Sequence, residues 1–85
     1  MRNSPYLKRL TLGKPASYFI KVQGRLDETW SDRLAGMRIR KSGRGDIEVT
    51  TLRGHVRDQA ELLGVLNSLY ELQLPLLSLE ILSSE

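Results

Sequence analysis

The chain has no cysteine and one histidine, His55. Without thiols there is no disulfide framework and no cysteine metal ligand, and a single imidazole does not build a histidine metal site. No metal and no cofactor are therefore expected. Aromatic residues are few: one Phe, one Trp and three Tyr among 85 residues. No apolar run approaches the roughly 20 residues of a membrane helix, and the N-terminus lacks the continuous apolar core of a signal peptide. No membrane partner is expected, and the cytoplasm is the expected compartment. A chain of this length makes one domain with a modest core, and oligomerisation is a common remedy for a thin stability margin.

Signals for catalysis are also scarce. His55 has Asp58 close in sequence, but no spacing assembles a nucleophile, a base and an orienting group. No catalytic residue is assigned, and the protein is expected not to be an enzyme. Asp27, Glu28 and Asp32 cluster around a helix start, where capping and solvation account for them. Arg44-Gly45-Asp46 matches a cell-adhesion tripeptide and is read as chance, given the expected compartment.

Charge is present and unevenly placed. The net charge of +3 conceals a basic front and an acidic end. Residues 1–16 carry Arg2, Lys8, Arg9 and Lys14 and no acid. Residues 33–57 carry seven bases against Asp46 and Glu48, whereas residues 58–85 carry five acids and no base. Such asymmetry bears on association rather than on fold.

Residues 1–16 contain Pro5, Gly13 and Pro15 with no sustained period, and read as a basic mobile arm. Residues 17–85 read as a single domain. Ser17 to Leu26 alternates as a first strand, with Tyr18, Ile20 and Val22 on one face and Phe19, Lys21 and Gln23 on the other. Asp27 caps a short helix from Glu28 to Ala35, which Gly36 ends. Met37 to Arg40 is a second strand with Met37 and Ile39 inward. Lys41 to Asp46 is a hairpin loop by composition. A third strand follows, with Ile47, Val49 and Thr51 inward and Glu48, Thr50 and Leu52 outward. Asp58 and Glu61 form a capping box for a second helix. Its apolar stripe is Leu62, Val65, Leu66, Leu69 and Leu72. Gly64 interrupts that helix, and a close packing contact would account for it. Pro75 ends the helix near Gln73, and Leu76 to Leu82 forms the fourth strand.

The order is β-α-β-β-α-β. The expected fold is α+β and ferredoxin-like: a four-stranded antiparallel sheet with two helices on one face. On the helix-free face the expected interface residues are Phe19, Leu52, Leu76, Leu82 and Glu80. The apolar members form a patch of the kind that marks an interaction surface. The fourth strand is a long apolar edge with one charge, and such edges are usually paired or covered.

Four blocks carry a resemblance. They are Val22-Gln23-Gly24-Arg25-Leu26-Asp27, Trp30-Ser31-Asp32, Gly54 with Asp58-Gln59-Ala60, and Leu74-Pro75-Leu76-Leu77-Ser78. Over about residues 18–80 the chain resembles a family of small uncharacterised bacterial proteins. The resemblance implies a compact intracellular domain and brings no assigned activity. In that family a Gly commonly precedes the Leu-Pro; here Gln73 stands there, so either the helix ends without a left-handed residue or Gln73 bears strain.

The leading functional expectation is a small interaction or regulatory module. Its partner is a protein, itself or another, and a homodimer forms through the open sheet face or the fourth-strand edge. The alternative is a nucleic-acid-binding accessory protein using Arg38, Arg40, Lys41 and Arg44 of the second strand and hairpin with Lys8 and Arg9 of the arm. A small-ligand sensor or an enzyme comes third.

Overall fold

A computed structural model describes residues 13–43 and 46–84, the last by its backbone alone. Four strands form one antiparallel sheet: β1 (Ala16–Gln23), β2 (Arg38–Lys41), β3 (Val49–Val56) and β4 (Leu76–Ser84). Their order across the sheet is β2-β3-β1-β4, so β2 and β4 are the edges. Among the described residues one α-helix, α1 (Gln59–Glu71), packs on one face, which makes the domain α+β. The arm expected at residues 1–16 lies outside the described residues up to position 12, and β1 begins at Ala16.

The helix expected at Glu28–Ala35 is instead a 3-10 helix, Glu28–Arg33. Thr29, Trp30, Ser31 and Asp32 are all weak helix formers. The Ser31 hydroxyl also donates to the Met37 carbonyl at 2.7 Å, and the Gly36 N–H to the Ser31 carbonyl at 2.8 Å, which folds the chain back before a second α-turn forms. Asp27 is the N-cap, as expected, accepting from the Thr29 N–H at 3.1 Å. Leu34 is fully buried and Trp30 packs against the core beside it.

Helix α1 follows its sequence signals closely. The Asp58 carboxylate accepts the Glu61 N–H at 2.8 Å. Glu61 reaches back to the Arg57 N–H at 2.8 Å, one residue earlier than the usual capping box, and pairs with the Arg57 guanidinium at 3.1 Å. Leu62, Val65 and Leu69 are buried. The Gln59 amide donates to the Tyr18 hydroxyl at 2.6 Å, which ties the first turn to β1 and satisfies a buried phenol. At the other end Gln73 adopts φ 60, its N–H donates to the Tyr70 carbonyl at 2.9 Å, and the Leu74 N–H to the Leu69 carbonyl at 3.1 Å. These two bonds make a Schellman motif with glutamine where glycine is usual. Gly64 has no packing contact: a side chain there would meet nothing within 4 Å.

The phase of β3 is opposite to the expected one. Thr50, Leu52 and Val56 are buried, with Leu52 at 0% exposure, whereas Ile47 is 62% exposed and precedes the strand. The ladder shows why. Leu52 pairs with Ile20 on one side and with Ile39 on the other, Thr50 pairs with Val22, and Val56 with Ala16. The other phase would drive Arg53 and His55 into the core, at a desolvation cost that no apolar gain from Val49 offsets. Gly54 lies on the helix side, where Met37 passes so closely that a Cβ would stand 3.1 Å from the Met37 Cα. The Thr50 hydroxyl donates to the Gly24 carbonyl at 2.7 Å, so the polar member of the buried row is satisfied.

Candidate interaction edge and basic sheet face

The core draws on β1, β2, β3, α1 and the first crossover, and on no residue of β4. The ladder places Leu76 opposite Val22, Leu79 opposite Ile20 and Ile81 opposite Tyr18, all on the helix side of the sheet. The helix does not reach over them. Register shifts between Ser17 and Tyr18 and between Lys21 and Val22 leave Leu82 and Leu77 without a partner in β1. The result is an edge strand with Leu76, Leu77, Leu79, Ile81 and Leu82 between 38% and 52% exposed and one charge, Glu80. Its outer backbone groups form no hydrogen bond among the described residues. Two further exposed apolars, Leu63 and Tyr70, lie seven apart on α1. They lie on the side of the helix away from Leu72, which lines a cleft with Ile39 and Lys41.

On the face without the helix, the ladder sets Arg38, Arg53, Phe19 and Glu80 in one row across the four strands. A second row runs Arg40, Thr51, Lys21 and Ser78, and His55 stands opposite Ser17 with its Nδ1 3.2 Å from the Ser17 hydroxyl. Phe19 is half-buried on β1, between Arg53 of the basic region and Glu80 of β4. Lys21, Arg38, Arg40 and Arg53 form no ion pair among the described residues.

These positions revise several expected site residues. Leu52 is a core residue and not part of an interface. Leu76 lies across the sheet from Phe19 and not beside it, because the bulge at Leu77 breaks the alternation of β4. Leu82 is exposed at the second bulge, and Glu80 adjoins Phe19 as a face neighbour. Arg38, Arg40 and Lys41 lie on the short edge strand β2. Arg44, Lys8 and Arg9 lie outside the described residues. Arg53 was missed by sequence reasoning. The signal that finds it is the charge at positions 53 and 55, which fixes the phase of β3 better than the apolar residue at 47.

A cleft of about 900 Å³ opens between the 3-10 helix, β2 and the end of α1, floored by Leu26, Trp30, Ile39, Leu72 and Leu74. The short crossover leaves this space uncovered. The Arg33 guanidinium stands 5.3 Å from the Trp30 ring, which orders the rim by a cation–π contact. The described residues contain neither a cluster of metal-ligating side chains nor a helix long and apolar enough to cross a membrane.

One family model, described as a domain of unknown function (DUF8691), matches residues 17–80. No curated protein and no solved structure matches the chain.

Proposed function

We propose that this chain, which belongs to that domain family of unknown function, is a ferredoxin-like interaction module that assembles with a second copy of itself through β4. The single observation that supports this is the nine-residue edge strand with five partly exposed aliphatic side chains and no cover from the core.

An antiparallel pairing of β4 with its copy is self-complementary, the condition for a closed two-fold dimer. Centred on Leu79, it sets Leu79 opposite its equivalent, Leu77 opposite Ile81, and Glu80 opposite Ser78. Centred on Glu80, it would set two carboxylates against each other, which destabilises a sheet. The sizes of the terms permit assembly. Burying the exposed half of a Leu or Ile contributes roughly 1 kcal/mol, so ten such side chains across two copies contribute about 10 kcal/mol. That is comparable with the cost of association of about 4–15 kcal/mol, and the new ladder hydrogen bonds add to it. The basic, four-residue β2 edge is a poor alternative, because charge and shortness both discourage strand addition.

Substitution separates the edge from the face. Leu79→Glu and Ile81→Glu are expected to give a folded monomer, judged by mass in solution with circular dichroism as the folding control, whereas Phe19→Leu leaves the assembly intact. Unchanged mass in both β4 variants would remove the edge from consideration.

A further inference from the structure

We infer that the helix-free sheet face is a binding platform for single-stranded nucleic acid, a site independent of the β4 edge. Edge-to-edge pairing through β4 leaves that face open, so the two proposals stand or fall separately.

Four observations carry the inference. Lys21, Arg38, Arg40 and Arg53 share one face of three adjacent strands, and no carboxylate from those strands lies on it. None of the four has an ion-pair partner among the described residues. Arg38 stands directly opposite Arg53, a like-charge pair that costs stability in the free protein and that a bound anion relieves. Phe19, the one phenylalanine of the chain, lies on the same face of a central strand, next to Arg53.

The dimensions fit a strand of nucleotides. Arg38 and Arg40 are two residues apart on an extended strand, about 6.6 Å, and β2 lies two strand spacings, about 9.6 Å, from β1. Cations so placed span about three nucleotides and the four phosphates that bound them, within the length that an open four-stranded sheet can hold, and Phe19 offers its ring to one of the bases. Phosphate contacts supply the affinity and make it salt-dependent. The ring selects unpaired bases, because a base inside a duplex does not present its face. An acidic peptide would use the guanidinium groups but would gain nothing from the ring. Glu80 bounds the basic field on the β4 side, so the nucleic acid runs over β1, β3 and β2.

The test is fluorescence anisotropy of the full chain with labelled oligo(dT) and oligo(U), against a duplex of the same length. Four phosphate contacts at a log–log slope of about −0.7 each give a loss of affinity of roughly fifty-fold between about 50 and about 200 mM salt. Single strands are expected to bind more tightly than duplex. Arg38→Gln with Arg53→Gln is expected to halve the salt slope. Phe19→Leu, which keeps an apolar residue at that position, is expected to weaken single-strand binding at least about fivefold. Leu79→Glu is expected to change the mass of the protein and not the intrinsic affinity of each platform. Absence of binding at low salt overturns the inference. So does equal affinity for duplex and single strand, or binding that survives the sheet substitutions and is lost on neutralising Lys8 and Arg9.

Discussion

Phe19 on β1 stands directly opposite Arg53 on β3, on the face of the sheet opposite α1. This pairing follows from what lies one residue away on each strand. Ile20 opposes Leu52 on the other face, both side chains are fully buried, and together they fix the register of the two central strands. A one-residue slip would exchange the two faces of β3 and place Arg53 in the core.

That register has a direct energetic consequence. Leu52→Ala is expected to destabilise the fold by about 2–5 kcal/mol, as for a buried leucine with no room to collapse. Arg53→Ala, one position on, is expected to shift stability by no more than about 0.5 kcal/mol. Denaturant unfolding of the two variants checks this. Equal costs would mean that β3 is not phased as described.

Two glycines are expected to respond in opposite ways to alanine. Gly64 lies in the interior of α1 with open space around it, so Gly64→Ala is expected to stabilise by about 1 kcal/mol through helix propensity alone. Gly54 is pressed against the Met37 backbone, so Gly54→Ala is expected to destabilise by about 1–3 kcal/mol through overpacking. Thermal unfolding of both single variants, scored by the sign of the change, is the measurement.

Left-handed backbone gives a third outcome. Ala35 and Gln73 adopt φ 58 and φ 60. A side chain in that region costs about 1–2 kcal/mol. Glycine relieves it but gains freedom in the unfolded chain worth about 0.5–1 kcal/mol. Gln73→Gly and Ala35→Gly are each expected to raise stability by about 0.5–1 kcal/mol. A loss of stability in Gln73→Gly would show that the glutamine side chain contributes more than its backbone costs.

What the sequence made legible follows from the kind of signal each element carries. Strand β1 and helix α1 were readable because their apolar periods are unbroken and the helix is bracketed by Asp58 and Pro75. The first crossover was not, because an N-cap and two apolar residues four apart suit a 3-10 turn as well as an α-helix. The choice was made by the Ser31 hydroxyl and its bond to the distant Met37 carbonyl. In β3 the apolar Ile47 suggested one phase, and the charges at 53 and 55 decided the other through tertiary context. In β4 a run of leucines gives no alternation to follow, so the two bulges, and with them the sides taken by Leu76 and Glu80, had no local signature. Of the expected interface residues, Leu52 is the one that the fold places in the core. The basic face came into view only when Arg53 was placed beside Phe19.

The mass of the wild-type protein in solution, by light scattering on a sizing column at low and at high salt, decides whether two copies pair through β4. A dimer whose mass is the same in both conditions is expected, because the β4 edge is apolar and hydrogen-bonded pairing is little screened. A monomer at high micromolar concentration would contradict the account. A dimer that dissolves as salt is raised would contradict it equally, since the basic and acidic halves of the chain would then hold the copies together.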